Sequence, residues 1–148
     1  MNLPLVTLLS LTVLLLSGCN PSTKDQLSEA TSNKDKSTLI EVDDKTAQKQ
    51  IFDFEEKPVL IEFYASWCPP CTSLTPRVEE LAKKYDSKLK FVKIDVEKAP
   101  HIVEKYNIIS IPTIQIYSKK CPDEKTLVGV KSIEKLEKFI DKALKDCN

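Results

Sequence analysis

The chain has 148 residues, enough for one ordinary domain with short appendages, and its 22 Lys+Arg balance 22 Asp+Glu, so no net field draws in nucleic acid or an anionic bilayer. Hydrophobic residues at 41% and charged residues at 30% suit a globular rather than a disordered chain. With only Gly18 and Gly129 there is no glycine-rich phosphate loop, and with only His101 no His-rich metal centre or Ser-His-Asp triad. No metal, cofactor or nucleic-acid partner is therefore expected, and distinctive chemistry is left to five cysteines, too few for a disulfide-scaffold miniprotein.

Residues 3–16 are nearly all apolar, with eight Leu among fourteen. As a helix they span about 21 Å, short of a hydrocarbon core of about 30 Å. That length fits the apolar region of a secretory signal. Leu16-Ser17-Gly18-Cys19 follows directly and resembles a bacterial lipobox. The resemblance implies a signal peptide over 1–18, cleavage before Cys19 and diacylation of its thiol. No Lys or Arg precedes the apolar run, a departure from the usual pattern, and an uncleaved signal anchor or a chance Cys at this place are the alternatives. Either way the domain is expected outside the cytoplasm, where disulfides persist. From 20 to 38, Ser, Thr, Lys, Asp and Asn dominate and Leu27 is the one large aliphatic side chain. Such a stretch cannot offset its ordering entropy and reads as a tether with a reach of about 24 Å. The expected division is 1–18 signal, 19–38 lipidated Cys and tether, and 39–148 the domain.

Leu39–Val42 reads as a short strand. Asp44 is an expected N-cap for a helix carrying Ala47, Ile51 and Phe54, ending before Pro58. Residues 59–65 form an apolar run broken once, by Glu62, as in a strand buried on both faces. After Cys68-Pro69-Pro70-Cys71, the residues Leu74, Val78, Leu81, Ala82 and Tyr85 mark a helix face, with Pro76 inside it. Residues 90–96 alternate with period two, Pro100 suits the first turn of a helix reaching Tyr106, and 113–117 and 125–130 read as two further strands. Ser132 caps a last helix with an apolar stripe from Ile133 to Leu144. The order is βαβαβαββα, an α/β fold with a central sheet and helices on both faces.

Cys68 falls at a helix start, where unpaired N–H groups and the helix dipole favour a thiolate. Two residues between cysteines there suit a reversible disulfide. A zinc site lacks a second ligand pair, and c-type haem attachment lacks a His where Thr72 stands. Glu62, in mid-strand, is costly unless neutral or paired, so its pKa is expected to be raised. Cys121 sits in the turn between the last two strands. The final helix runs back along the last strand and brings Cys147 near that turn, so a structural disulfide is expected, with two free thiols as the alternative.

These motifs, in this order, resemble the thioredoxin superfamily over 39–147. The resemblance rests on residues 58–71 (Pro-Val-Leu-Ile-Glu-Phe-Tyr-Ala-Ser-Trp-Cys-Pro-Pro-Cys), Pro76, Lys93-Ile94-Asp95-Val96, Ala99-Pro100, Glu104-Lys105-Tyr106, Ser110-Ile111-Pro112-Thr113 and Val128-Gly129. It implies a thioredoxin fold with Cys68 as the exposed attacking thiol and Cys71 as the buried resolving thiol. It further implies a cis Pro112 facing the cysteines, Ile111 pairing with a substrate strand through its backbone, and Trp67 beside the site. Family members place a proton-transferring Asp at this position; here it is Glu62, one methylene longer, as in some membrane-tethered relatives, which implies the same role. Its neighbour Lys93 leaves a purely structural Glu62–Lys93 ion pair as the alternative. Pro69 and Pro70 donate no N–H to the Cys68 sulfur, and neither is the His of oxidising relatives, which argues for a reducing couple. Thr72 replaces a Lys common after the motif.

The expectation is a monomeric, lipid-anchored, extracytoplasmic thiol–disulfide oxidoreductase that reduces protein disulfides. Its electrons come from a membrane dithiol protein, and apocytochrome c is one target by analogy with tethered relatives. An oxidase or isomerase of the same fold, or a non-enzymatic peptide-binding module, are the rival readings.

Overall fold

The computed structural model describes residues 38–121, 123 and 125–147. Cys19, the signal segment 1–18 and all but the last residue of the tether lie outside them. The strands are β1 (Leu39–Glu41), β2 (Val59–Tyr64), β3 (Lys90–Asp95), β4 (Thr113–Tyr117) and β5 (Lys125–Val128), and the helices are α1 (Asp44–Ala47), α2 (Pro69–Lys84), α3 (Pro100–Lys105) and α4 (Ile133–Asp146). The sheet order is β1-β3-β2-β4-β5. β3 pairs parallel with β1 and β2, while β4 runs antiparallel to β2 and β5. The sheet is therefore mixed, and its chemically informative strand, β2, is central.

Period-two alternation along β2 sends its side chains to two cores. Leu60 packs with Leu74, Val78 and Leu81 of α2 and Leu136 and Ile140 of α4. Val59, Ile61 and Phe63 pack on the other side with Ala47 of α1, Ile102 of α3 and Tyr106. Glu62 shares the parity of Leu60 and so faces the α2 side. Pro69 and Pro70 occupy the first turn of α2, where an N–H has no helical partner in any case.

The first helix departs from expectation. Its N-cap is Asp43, whose carboxylate accepts from the Thr46 amide at 2.9 Å in a reciprocal capping box. After Ala47 the helix widens into a π-helical turn, Gln48–Phe52, and Phe54 falls beyond it. Asp44 instead serves another element: its carboxylate accepts from the His101 and Ile102 amides at 3.2 and 3.1 Å. Those are first-turn N–H groups of α3, whose own cap residue Ala99 has no side chain to offer them.

Candidate active site

β2 ends at Tyr64, and a tight loop delivers Cys68 to the start of α2, the Cys68 amide donating to the Ala65 carbonyl at 3.2 Å. Cys68 and Cys71 are joined in a disulfide, with Cα atoms 5.3 Å apart. Cys68 is the N-cap, and its Sγ accepts from the Cys71 amide at 3.3 Å. The two prolines supply no N–H, so the third helical residue does so. Cys68 differs from expectation in exposure: at 4% it is nearly as buried as Cys71 at 1%. In the disulfide the residue packs with Ala65 and Cys71 against Tyr64, Val96 and Ile111.

Ile111 thus touches the sulfur cluster directly. The Ile111–Pro112 peptide is cis, and the Pro112 carbonyl accepts from the Gly129 amide at 2.8 Å. Gly129 is at φ +81°, a conformation that costs a residue with a Cβ, and it allows the chain leaving β5 to reach that carbonyl. Trp67 stands next to Cys68 and is 64% exposed, so it is no core tryptophan.

Glu62 is 0% exposed. Its cross-strand neighbours are Lys93 on β3 and Ile114 on β4. Burial dominates and pushes its carboxyl from an ordinary 4.5 up to about 7, opposed by a hydrogen bond from Thr75 and the Lys93 charge and reinforced by Glu79. Lys93 makes its ion pair elsewhere, with Glu41 at 3.8 Å, so the structural Glu62–Lys93 bridge is not formed. Thr75, absent from the sequence reading, donates to Glu62 Oε1 at 2.8 Å. Its signal was available: it lies one helical turn after Cys71, beside the buried Leu74, on the side of α2 that turns toward β2.

The remaining residues are distributed as follows. Cys121 and Cys147 form a second disulfide, Cα atoms 4.7 Å apart, tying the turn after β4 to the C-cap of α4. His101 is exposed on α3 and Thr72 is exposed on α2. Cys19 lies outside the described residues. Among the described residues no His, Cys, Asp and Glu cluster could hold a metal ion.

A disulfide at a helix start, a buried carboxyl hydrogen-bonded from the next turn of that helix, and a cis peptide whose Ile111 packs on the cysteines are thus brought together. The thioredoxin family matches residues 27–142. Thioredoxin of Rickettsia bellii is 37% identical over 100 residues, covering 68% of this chain and 93% of its own. Thioredoxin C-2 of Corynebacterium nephridii is 38% identical over 104 residues (70% and 94%), and a thioredoxin of Staphylococcus epidermidis is 36% identical over 106 (72% and 98%). The chain belongs to the thioredoxin family. It is a thioredoxin-like thiol–disulfide oxidoreductase of the protein-disulfide reductase type, with Cys68 and Cys71 as its Cys-X-X-Cys pair.

Proposed function

We propose that this thioredoxin-family protein works as a lipid-anchored, extracytoplasmic reductase in which Cys68 attacks, Cys71 resolves and Glu62 receives the Cys71 proton. Reduced Cys68 thiolate attacks one sulfur of a client disulfide, forming a mixed disulfide and expelling the other client sulfur as a thiolate. Cys71 passes its proton to Glu62 and attacks the Cys68 sulfur. The Cys68–Cys71 disulfide forms and the client leaves with both electrons. The observation that carries this reading is Glu62: fully buried on β2, hydrogen-bonded by Thr75 one helical turn after Cys71, with its carboxyl pushed up to about 7 by burial. A group so poised accepts a proton in one half-cycle and returns it in the other.

Exposed Trp67 and the Ile111–Pro112 segment flank the sulfurs and are the surface for an extended client strand. The anchor rests on Leu16-Ser17-Gly18-Cys19. A tethered protein outside the cytoplasm needs a dithiol protein in the membrane to re-reduce Cys68–Cys71, and apocytochrome c thiols are a client class consistent with that position. Two measurements test the reading. Labelling cells with an alkyne-bearing fatty acid should tag the wild type and not Cys19→Ala; equal labelling removes the anchor. The Cys68–Cys71 potential, equilibrated against glutathione and followed by Trp67 fluorescence, should lie near the thioredoxin value of about −270 mV. A value near about −120 mV favours an oxidase instead.

A further inference from the structure

We infer that Thr75 is a positioning residue for proton transfer: its hydroxyl holds Glu62 by Oε1 and leaves Oε2 as the oxygen that carries and passes the proton. This rests on the reading of Glu62 as the proton acceptor for Cys71. The Thr75 hydroxyl lies 2.8 Å from Glu62 Oε1 and 3.2 Å from the Cys71 carbonyl one turn back. It has one hydrogen and serves one acceptor at a time. An ionised Glu62 wins it, because the charge-assisted bond is shorter and stronger.

Glu62 Oε2 is buried with no protein hydrogen-bond partner among the described residues. An oxygen in that condition is costly as part of an anion and is relieved by a proton. The two oxygens therefore differ: Oε1 is occupied and Oε2 is the basic one. When Cys71 S–H gives its proton to Oε2, the carboxyl becomes neutral and a weaker acceptor. The Thr75 hydroxyl is then able to turn to the Cys71 carbonyl, so it follows the charge on Glu62. The other groups bearing on Glu62 are Lys93 from β3, which favours the anion, and Glu79 from α2, which opposes it. β4 presents apolar Ile114 as its cross-strand neighbour. Thr75 is the group among these that distinguishes one oxygen from the other.

The test is a carboxyl-carbon NMR titration of the oxidised full chain, with Glu62 assigned by its loss in Glu62→Gln. Single-turnover reduction of an unfolded, disulfide-bonded protein across pH accompanies it. In Thr75→Val the charge-assisted bond is lost, and the acid dissociation constant of Glu62 should fall about tenfold. Near pH 7 the resolving step should then slow about fivefold, its pH profile moving to higher pH. Thr75→Ser should restore both, which a purely structural role for the methyl group would not do. Should Thr75→Val not fold, as judged by far-UV circular dichroism, Thr75→Ala carries the same expectation. An unmoved Glu62 titration in the variant, or failure of Thr75→Ser to restore it, overturns the role of Thr75 alone. A Glu62→Gln protein that reduces its client at the wild-type rate at every pH overturns the reading of Glu62, and the role of Thr75 with it.

Discussion

The two disulfides of this protein are the same bond put to opposite uses. Cys68–Cys71 spans three residues at the start of a helix, with an exposed indole next to it in the chain and a buried carboxyl hydrogen-bonded from the helix's next turn. Cys121–Cys147 spans 26, and joins the turn before β5 to the far end of α4, where a Lys125–Asp146 ion pair at 3.2 Å ties β5 to the same helix end. A short loop gains little from closure, whereas a long one gains much. Chemistry also differs: Cys68 has a helix-terminal N–H aimed at its sulfur, and Cys147 lies at a helix C-terminus, where the dipole disfavours a thiolate. Placement, not the bond, separates the exchanger from the staple.

The largest expected effect tests that separation outright. Cys71→Ser should abolish multiple turnover and accumulate client mixed disulfides through Cys68, seen on non-reducing gels, while the double variant Cys121→Ala/Cys147→Ala keeps wild-type turnover. Loss of turnover in the double variant would erase the distinction. Next comes stability. Removing the second disulfide opens a loop worth about 3 to 4 kcal/mol in the chain-entropy model, read as a lower urea midpoint. An unchanged midpoint means the ion pair and helix packing suffice.

A smaller effect of opposite sign belongs to the first disulfide's surroundings. The Glu62 carboxyl has its pKa raised from 4.5 to about 7 on folding. Between those values the folded state binds more protons than the unfolded one, so stability falls as pH rises through that window. Above it the full cost is about 3 kcal/mol. Glu62→Gln should therefore be more stable than wild type at pH 8 by up to that amount, and the gap should close by pH 4. A gap equal at both pH values would mean that charge burial is not its cause.

Much of this was legible in the sequence, because strands and helices announce themselves by period. The run 59–65 with one carboxylate located β2 and singled out Glu62, and the Cys-Pro-Pro-Cys spacing located the redox pair. The order β1-β3-β2-β4-β5 was not legible, since which strands pair is settled by packing between distant segments. Local rules also failed where a side chain serves a distant element. Asp44 looked like the cap of its own helix and instead caps α3, leaving Asp43 to start α1. Thr75 escapes a local reading for a related reason: its partner lies thirteen residues away on another element, so its place one turn after Cys71 gains meaning only once that side of α2 is known to pack on β2. The resemblance implies an exposed Cys68, but in the oxidised state the residue is buried with Ala65 and Cys71.

The Cys121–Cys147 bond encloses β5 and all of α4 in a covalent ring. A protease that cuts the chain anywhere between those cysteines releases nothing, because both pieces stay attached through the sulfurs. The nicked molecule, heavier by one water, stays a single covalent species, and it separates into two fragments only on reduction. For a protein whose task is to pass electrons among thiols, survival of a broken backbone thus depends on a bond that its own chemistry must leave alone.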